Sequence, residues 1–312
     1  MKKYLLRLLL FMIILFILLL ILSWIVVPKI NSEEAGMNNI RAMKILGEKE
    51  NTVDVIIYGD SESFASIIPI RFWENYGFTA FICGTSGQTL PDTCRIAYDT
   101  LKKQSPKIII LEADNIFIPT EITVPLARVL YEILPITEYH NRWKSLDKND
   151  FFGKISYTQR DVHKGYHLLT AVNPADNSNY MTYTEEKEGI PTINKIYVKL
   201  LKKYFEFKGS EFAIVSVPST SNWNYKKHNG LKEFAEKEGI EFLDLNIEED
   251  LKIDWQTETA DAGDHVNKKG AEKVTEYLGK WLKEKKILKN HKDDEDYNKI
   301  WNNDLDTTKI FY

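Results

Sequence analysis

Short apolar runs of β-type residues alternate with helical patterns over most of this 312-residue chain. Val, Ile, Phe and Leu concentrate in five runs, which predict strands at residues 53–58, 79–83, 107–111, 211–217 and 240–245. Apolar residues at helical spacing predict helices around residues 65–76, 92–104, 192–206, 227–238 and 268–284. Apolar strands that alternate with helices are typical of a parallel sheet covered on both faces. We therefore expect a three-layer α/β/α sandwich built on a parallel sheet of five strands.

The N-terminal region carries the longest apolar run of the chain. Leu8 to Val27 is almost entirely Leu, Ile, Phe and Val, and a helix of this length spans the roughly 30 Å hydrocarbon core of a bilayer. Lys2, Lys3 and Arg7 precede the run, so the positive-inside rule places the N-terminus in the cytoplasm and the rest of the chain outside. The alternative is a cleaved signal peptide, but the run is too long and no small-residue cleavage site follows it. We expect residues 1–28 to be an uncleaved single-pass anchor in the cell membrane.

The remainder of the chain divides by composition. The predicted parts are a polar stalk, an α/β domain and a C-terminal extension, at residues 29–52, 53–286 and 287–312 respectively. Residues 116–191 interrupt the domain without clear strand patterns. A segment of that length is either a functional lid or binding surface, or a structural subdomain. The C-terminal extension is expected to dock through Trp301 and Phe311.

Composition limits the classes of partner and cofactor. The formal net charge is −4 and the isoelectric point is near 6.0, so no basic face is indicated and nucleic-acid binding is not expected. Cys83 and Cys94 are too few for a disulfide scaffold and lack the spacing of a zinc site; whether they pair stays open. His163 and His167 stand four residues apart, but Gly165 lies between them and no third ligand is evident. We expect neither a metal nor a cofactor.

Polar motifs follow four of the predicted strands. Three follow their strands directly, and the fourth comes after the loop that follows the last strand; they are GDSES at 59–63, CGTSGQ at 83–88, EADN at 112–115 and DAGDHVNKKGA at 261–271. Ligands of open α/β sheets bind beyond the carboxyl ends of the strands. The four motifs should therefore converge on one site.

These motifs contain the parts of a serine nucleophile. A serine hydroxyl attacks well only when an adjacent base takes its proton, and the oxyanion that forms needs N–H donors. Ser61 is the candidate nucleophile, and its free N–H at a strand-to-helix turn can also donate to the oxyanion. Gly84 leaves room for a substrate and can offer a second backbone N–H, and His265 is the candidate base. The structural alternative for the first motif is a tight turn in which Glu62 and Ser63 cap the helix.

The order and spacing of the motifs over residues 53–284 resemble the SGNH, or GDSL-type, hydrolase superfamily. The apolar anchor, the GDSES motif and the GDH-x-N-x-x-GA form of the last motif, Gly263 to Ala271, are most similar to membrane-anchored extracytoplasmic members of Gram-positive bacteria. Among these are DltD-like proteins, which act in D-alanylation of teichoic acids. The resemblance implies a flavodoxin-like sheet, and acyl transfer or ester hydrolysis through an acyl-serine on a cell-wall glycan, an exported glycan or teichoic acid. It also implies a membrane-bound O-acyltransferase as partner.

The last motif departs from the superfamily in its acid. The usual Asp three residues before the His is replaced by Ala262, and the nearby acids are Asp261 and Asp264. The carboxylate of Asp261 can reach Nδ1 of His265 if the following glycine bends the loop, whereas a side chain at i−1 usually points away. We favour Asp261 as the residue that orients His265 and keep Asp264 as the alternative.

The third motif departs in its oxyanion donor. The superfamily has Gly-x-Asn, and this chain reads Glu112-Ala113-Asp114-Asn115. Asn115 can donate to the oxyanion only if the register shifts by one residue, and an acid at this place would oppose the developing negative charge. The alternative function is therefore an inactive binding or scaffold module that partners a membrane acyltransferase. Acetyl or D-alanyl as the acyl group, and water or a glycan as the acceptor, both stay open.

Overall fold

The computed structural model describes residues 2–120 and 130–310. The chain forms two units, which are described separately. We call them the α/β unit (Arg41–Thr120 with Arg160–Tyr312) and the helical unit (Met1–Ile40 with Glu121–Gln159).

A five-stranded sheet forms the centre of the α/β unit. Its strands are β1 Val55–Gly59, β2 Ala80–Gly84, β3 Ile108–Glu112, β4 Glu211–Ser216 and β5 Glu241–Asp244. All pairings are parallel, in the order β2-β1-β3-β4-β5, which is the flavodoxin-like order. Helices cover both faces, so the predicted three-layer α/β/α sandwich is confirmed. β1, β2 and β3 are buried along their whole length, and this explains their uninterrupted apolar sequences.

The helices lie close to their predicted positions. They are α1 Lys2–Val26, α2 Ile40–Met43, α3 Ser61–Ser66, α4 Pro69–Tyr76, α5 Leu90–Thr100, α6 Ile136–Tyr139, α7 Lys148–Phe152, α8 Thr192–Phe207, α9 Tyr225–Glu238, α10 Lys268–Glu284 and α11 Glu295–Lys309. Three short 3₁₀ helices occupy Lys44–Gly47, Asp114–Ile116 and His140–Lys144.

One predicted helix, at residues 65–76, is two helices in the structure. α3 ends at Ser66, Ile67 is extended with φ −125° and ψ 132°, and α4 begins at Pro69. Proline disfavours the helical conformation in the residue before it and is well tolerated at the first helical position. At its other end α3 begins earlier than predicted, at Ser61, with only the N-cap Asp60 between it and β1.

Helix α10 packs against helices α3 and α4. Its buried stripe includes Val274, Leu278 and Leu282, as their spacing predicts. Gly279 lies in this contact, where a Cβ would come within 2.5 Å of the Tyr76 ring. The helix therefore fixes the position of the segment that precedes it, which contains the last polar motif.

The C-terminal extension is part of the folded α/β unit. Trp301 of α11 is 1% exposed and packs against Trp73, with 6.0 Å between ring centroids. The docking predicted for Trp301 is thus observed, whereas Phe311 lies outside the described residues.

A buried ion cluster holds the same extension. The Lys164 ammonium, 0% exposed, contacts Glu48 Oε1 at 2.8 Å and Asp304 Oδ2 at 2.5 Å. Arg160 bonds to both carboxylates from the other side, and the Lys164 ammonium also lies 4.3 Å from the centre of the Trp301 ring. The cluster thus connects Glu48, the insertion residues Arg160 and Lys164, and Asp304 of α11.

The helical unit contains α1 and part of the insertion. α1 is 25 residues long with a mean hydropathy of 3.3 in its most apolar window, and its side chains are mostly exposed. Among the described residues it is the one helix long and apolar enough to cross a membrane, a test that a signal sequence also passes. α6, α7 and the 3₁₀ helix His140–Lys144 pack against it.

Candidate active site

The site lies at the carboxyl ends of β1, β2 and β3. β1 has β2 on one side and β3 on the other, so the connections that leave these strands diverge and open a crevice there. Cys83 of β2 and Cys94 of α5 are not joined by a disulfide bond. The crevice edge is formed by the strand ends and by the segments that follow them.

Ser61 is the first residue of α3, immediately beyond β1. Asp60 precedes it as the N-cap, and its Oδ1 accepts a hydrogen bond from Glu62 N at 3.1 Å. The structural alternative had Glu62 and Ser63 as the cap, but the N-cap is Asp60, and Ser63 Oγ donates to Asp60 O at 2.7 Å. As the first helical residue, Ser61 has an N–H without an acceptor inside the helix. Its hydroxyl and its N–H are therefore placed together at the crevice.

The two glycines at the strand ends are required by packing. A Cβ on Gly59 would lie 2.5 Å from Glu112 Cβ, and a Cβ on Gly84 would lie 2.8 Å from Ser63 Oγ. Side chains at these positions would push β2 and β3 away from the turn that carries Ser61. Packing alone therefore explains why a glycine stands at position 84. The role of its N–H as an oxyanion donor stays a prediction.

His265 is held by a carboxylate four residues before it. Asp261 Oδ2 lies 2.6 Å from His265 Nδ1, and Asp261 Oδ1 accepts from His265 N at 2.6 Å. Asp264 Oδ2 is farther from the same Nδ1, at 3.5 Å. The bend that allows this contact comes from two residues with left-handed backbone, Ala262 at φ 61° and Gly263 at φ 97°.

The loop that carries His265 is fixed through its main chain. Gly263 O accepts from Thr220 N at 2.8 Å, and Asp264 O accepts from Ser219 Oγ at 2.8 Å. Ala262 N donates to Asn173 O at 3.0 Å. A Cβ on Gly263 would lie 1.8 Å from Thr220 Oγ1, so the loop fits tightly against the segment after β4.

The other ring nitrogen of His265 is available. Nε2 is buried and has no hydrogen-bond partner among the described residues, so it is not bonded to the Ser61 hydroxyl. A ring nitrogen of His265 and carboxylate oxygens of Glu62 and Asp264 lie within 4.8 Å of one another. The imidazole therefore lies close to the carboxylate of Glu62, the residue that follows Ser61 in α3. Hydrogen bonds between base and nucleophile are often long in structures without substrate.

Asn222 links the two sides of the crevice. Its Nδ2 donates to Glu62 Oε1 and to Asp264 Oδ1, both at 2.6 Å. The sequence analysis missed this residue, although it lies in the loop after β4, where the rule on strand ends could have found it. Glu62, Asp264 and His265 converge closely enough to hold a cation. Because the amide of Asn222 already donates to both carboxylates, the place between them suits a neutral donor better than a metal ion.

Buried carboxyl groups line the crevice beneath Ser61. Burial, then the charge of Asp114, raises the pKa of Asp60 to about 7. Burial raises the pKa of Glu112 well above its usual value, with Asp60 and Asp114 adding to the effect. Burial and the neighbouring Glu112 do the same for the pKa of Glu62. The raised pKa of Glu112 favours its uncharged form, which opposes an oxyanion less than a carboxylate would.

Asn115 lies in the 3₁₀ turn after β3 and is fully buried. Neither Nδ2 nor Oδ1 of its side chain has a hydrogen-bond partner among the described residues. A buried amide without a hydrogen-bond partner costs free energy. Beside a crevice, this cost is relieved when a ligand oxygen accepts a hydrogen bond from the amide. Its role as an oxyanion donor stays a prediction.

The raised pKa of Asp60 predicts a pH-dependent gain in stability for Asp60→Asn. Between pH 5 and pH 7 the unfolded chain has lost this proton while the folded protein keeps it, so rising pH weakens the wild-type fold. Asparagine is an equally good N-cap and does not titrate. We expect the free energy of unfolding of the variant, relative to wild type, to rise by about 2 kcal/mol from pH 5 to pH 8. Urea unfolding at both pH values measures it, and a pH-independent difference would contradict the protonation of Asp60.

Comparison with known proteins gives similarity of fold only. No protein-family model matches the chain, and no curated protein matches it. Solved structures similar to it include a GDSL-like lipase from Bacteroides thetaiotaomicron (13% identity, TM-score 0.41, 80% of this chain and 98% of that one). Others are a lipase/acylhydrolase from Enterococcus faecalis (12%, 0.40, 76% and 98%) and a psychrotrophic esterase from Pseudoalteromonas (13%, 0.36, 74% and 98%). Likeness at this level carries no argument about activity, which has to come from the residues of the site.

Proposed function

We propose that the protein is an enzyme that transfers an acyl group or hydrolyses an ester through an acyl-serine at Ser61. One observation carries the proposal. His265 has Nδ1 held by Asp261 and Nε2 buried without a partner among the described residues, and a ring nitrogen lies within 4.8 Å of the carboxylate of Glu62, the residue after Ser61. An imidazole in this state has one nitrogen fixed as donor and the other free to accept a proton.

The proposed reaction begins when Ser61 Oγ attacks the acyl carbonyl carbon while His265 Nε2 takes the hydroxyl proton. Asp261 stabilises the imidazolium that forms. The N–H groups of Ser61 and Gly84 and the amide of Asn115 donate to the oxyanion. Collapse of the tetrahedral intermediate breaks the ester bond, and the leaving alcohol takes the proton from His265. The acyl-serine is then attacked by an acceptor hydroxyl that His265 deprotonates, and Ser61 regains its proton.

The acceptor decides the type of enzyme. With water the reaction is ester hydrolysis, and with a hydroxyl of a cell-wall glycan, exported glycan or teichoic acid it is acyl transfer. We place the α/β unit on the extracellular side of the cell membrane, because Lys2, Lys3 and Arg7 precede the apolar helix α1. Tethering beside a membrane raises the local concentration of polymer and of a membrane-bound O-acyltransferase partner, which would supply the acyl group.

A binding module without turnover is the second candidate. It is favoured by the missing hydrogen bond between Ser61 and His265 Nε2. In that case the crevice would hold an acylated glycan by the same donors without forming an acyl-serine.

Product analysis separates these functions. The full-length protein is incubated with an activated acyl ester, with and without lipoteichoic acid, and products are identified by mass spectrometry. Acylated polymer indicates transfer, and free acid in both samples indicates hydrolysis. If the folded protein gives neither product, and the peptide that contains Ser61 gains no acyl mass, the enzyme proposal is wrong.

Substitution of the two acids near His265 tests the assignment of Asp261. Asp261→Asn removes the carboxylate 2.6 Å from Nδ1, and we expect kcat to fall by about 10²- to 10⁴-fold, as in other enzymes whose histidine loses its orienting carboxylate. Asp264→Asn is the matched control, because its nearest oxygen is 3.5 Å away. We expect a loss below about tenfold for it, since the bond to be lost is long. Equal losses, or a larger loss for Asp264→Asn, would contradict the assignment.

A further inference from the structure

The part of the insertion in the helical unit docks on one end of α1. Several of its hydrogen bonds to the N-terminal segment have their acceptors within residues 23–29. They are Ile136 N to Ser23 Oγ (3.1 Å), Arg142 Nη1 to Val26 O, Tyr157 Oη to Pro28 O (3.0 Å) and Ser156 N to Lys29 O (2.7 Å). Residues 134–157 therefore surround the C-terminal end of the apolar helix.

That end of α1 has a defined depth if the helix crosses a bilayer, as proposed above. Leu8 to Val27 rises about 1.5 Å per residue, so the run matches the roughly 30 Å hydrocarbon core. Its last turn then lies at the boundary between acyl chains and headgroups. Anything bonded to residues 23–29 lies at the same level.

The docked segment exposes large apolar side chains. The exposed fractions are 67% for Trp143, 44% for Phe151, 87% for Phe152 and 51% for Ile155, and Trp24 at the end of α1 is 48% exposed. Water-soluble surfaces seldom present a group of large apolar side chains together without a partner. Tryptophan and other aromatics are enriched where a membrane protein meets the headgroup region, since their rings suit a boundary of apolar and polar material.

The same segment buries an ion pair. The guanidinium of Arg142 contacts Asp150 Oδ1 at 2.8 Å, and the two side chains are only 8% and 6% exposed. The segment thus buries this charged pair while it exposes large aromatic side chains. Lys144, Lys148 and Lys154 remain exposed, and lysines with long stems can reach lipid phosphates from this depth.

We infer that residues 134–157 form an interfacial platform that lies in the headgroup region of a phospholipid bilayer around the end of α1. Trp143, Phe151 and Phe152 face the acyl-chain boundary, and the exposed lysines contact lipid phosphates. The inference rests on the proposed membrane-spanning role of α1 and extends it from a single helix to an anchor with a second, surface-bound part. The platform would fix the orientation of the helical unit, which a lone helix cannot do.

Spin labels measure the depth of the platform in the full-length protein. In a Cys94→Ser background, where the remaining Cys83 is fully buried, a label is placed by Phe152→Cys, by Phe207→Cys or by Leu15→Cys. Phe207, 84% exposed in the α/β unit, is the matched aromatic control, and Leu15 reports on the middle of α1. The protein is reconstituted in phosphatidylcholine–phosphatidylglycerol vesicles. Oxygen, which concentrates in the bilayer, and a water-soluble nickel chelate are used as relaxation agents.

We expect the ratio of oxygen to nickel accessibility at position 152 to exceed that at position 207 several-fold, and to lie between the values for 207 and 15. Equal ratios at 152 and 207, with a high ratio at 15, would overturn the platform while leaving the anchor intact. A label at 15 that is open to nickel would remove the anchor and the platform together. Shielding of position 152 from both reagents would show that protein covers the site, through a second copy or another chain, and would also overturn the inference.

Discussion

Ser61→Ala is expected to remove both turnover and covalent labelling by a serine-directed fluorophosphonate. The hydroxyl of Ser61 is the proposed nucleophile, and alanine leaves the α3 N-terminus and its N–H donors in place. Loss of the serine in enzymes of this kind lowers kcat by about 10⁴- to 10⁶-fold. Activity with an activated ester and the mass of the fluorophosphonate adduct are the two measurements.

Ser63→Ala is the control for the same experiment. Ser63 is two residues after Ser61 in the same helix and is fully buried, and its hydroxyl donates to Asp60 O at 2.7 Å. Its loss costs one buried hydrogen bond, about 1 kcal/mol of stability, and leaves the proposed nucleophile intact. Labelling should therefore persist in Ser63→Ala. If the folded Ser61→Ala variant is labelled or active like wild type, the acyl-serine mechanism is wrong.

Lys164→Met is expected to destabilise the α/β unit by about 3–5 kcal/mol, because it leaves buried carboxylates without one of their partners. The ammonium contacts Glu48 and Asp304, whose side chains are each 1% exposed. Methionine fills much of the same volume, so the loss measures the charge and not a cavity. Urea unfolding of the detergent-solubilised protein, followed by circular dichroism, gives the free energy of unfolding.

Lys280→Met provides the reference for an exposed pair. Lys280 contacts Glu276 at 2.7 Å, but both side chains are more than 60% exposed. Pairs of this kind contribute about 0–1 kcal/mol, so the variant should unfold close to wild type. Should Lys164→Met also unfold like wild type, the buried cluster does not hold α11 to the domain.

The strands and long helices of the α/β unit could be predicted because their signals are local. All five strands begin and end within two residues of their predicted bounds. Pro69 also has a local signal, and its effect on the preceding residue accounts for the break that the helix prediction missed.

The site could be predicted only in part. The bend at Gly263 was sufficient to anticipate that Asp261 reaches His265, since both lie in one short loop. Asn222 and Glu62 are 160 residues apart in the sequence, so no local spacing rule predicts the contact between them. The raised pKa of Glu112 likewise depends on burial by distant segments, which its position in the sequence does not show.

The loop that holds His265 is secured by carbonyl and amide groups of residues 262–264, not by the imidazole. Replacing the ring would therefore cost this chain little of its architecture. If His265 acts as proposed, a change at that one codon would end catalysis in descendants and still leave an intact crevice that can be recruited for recognition alone.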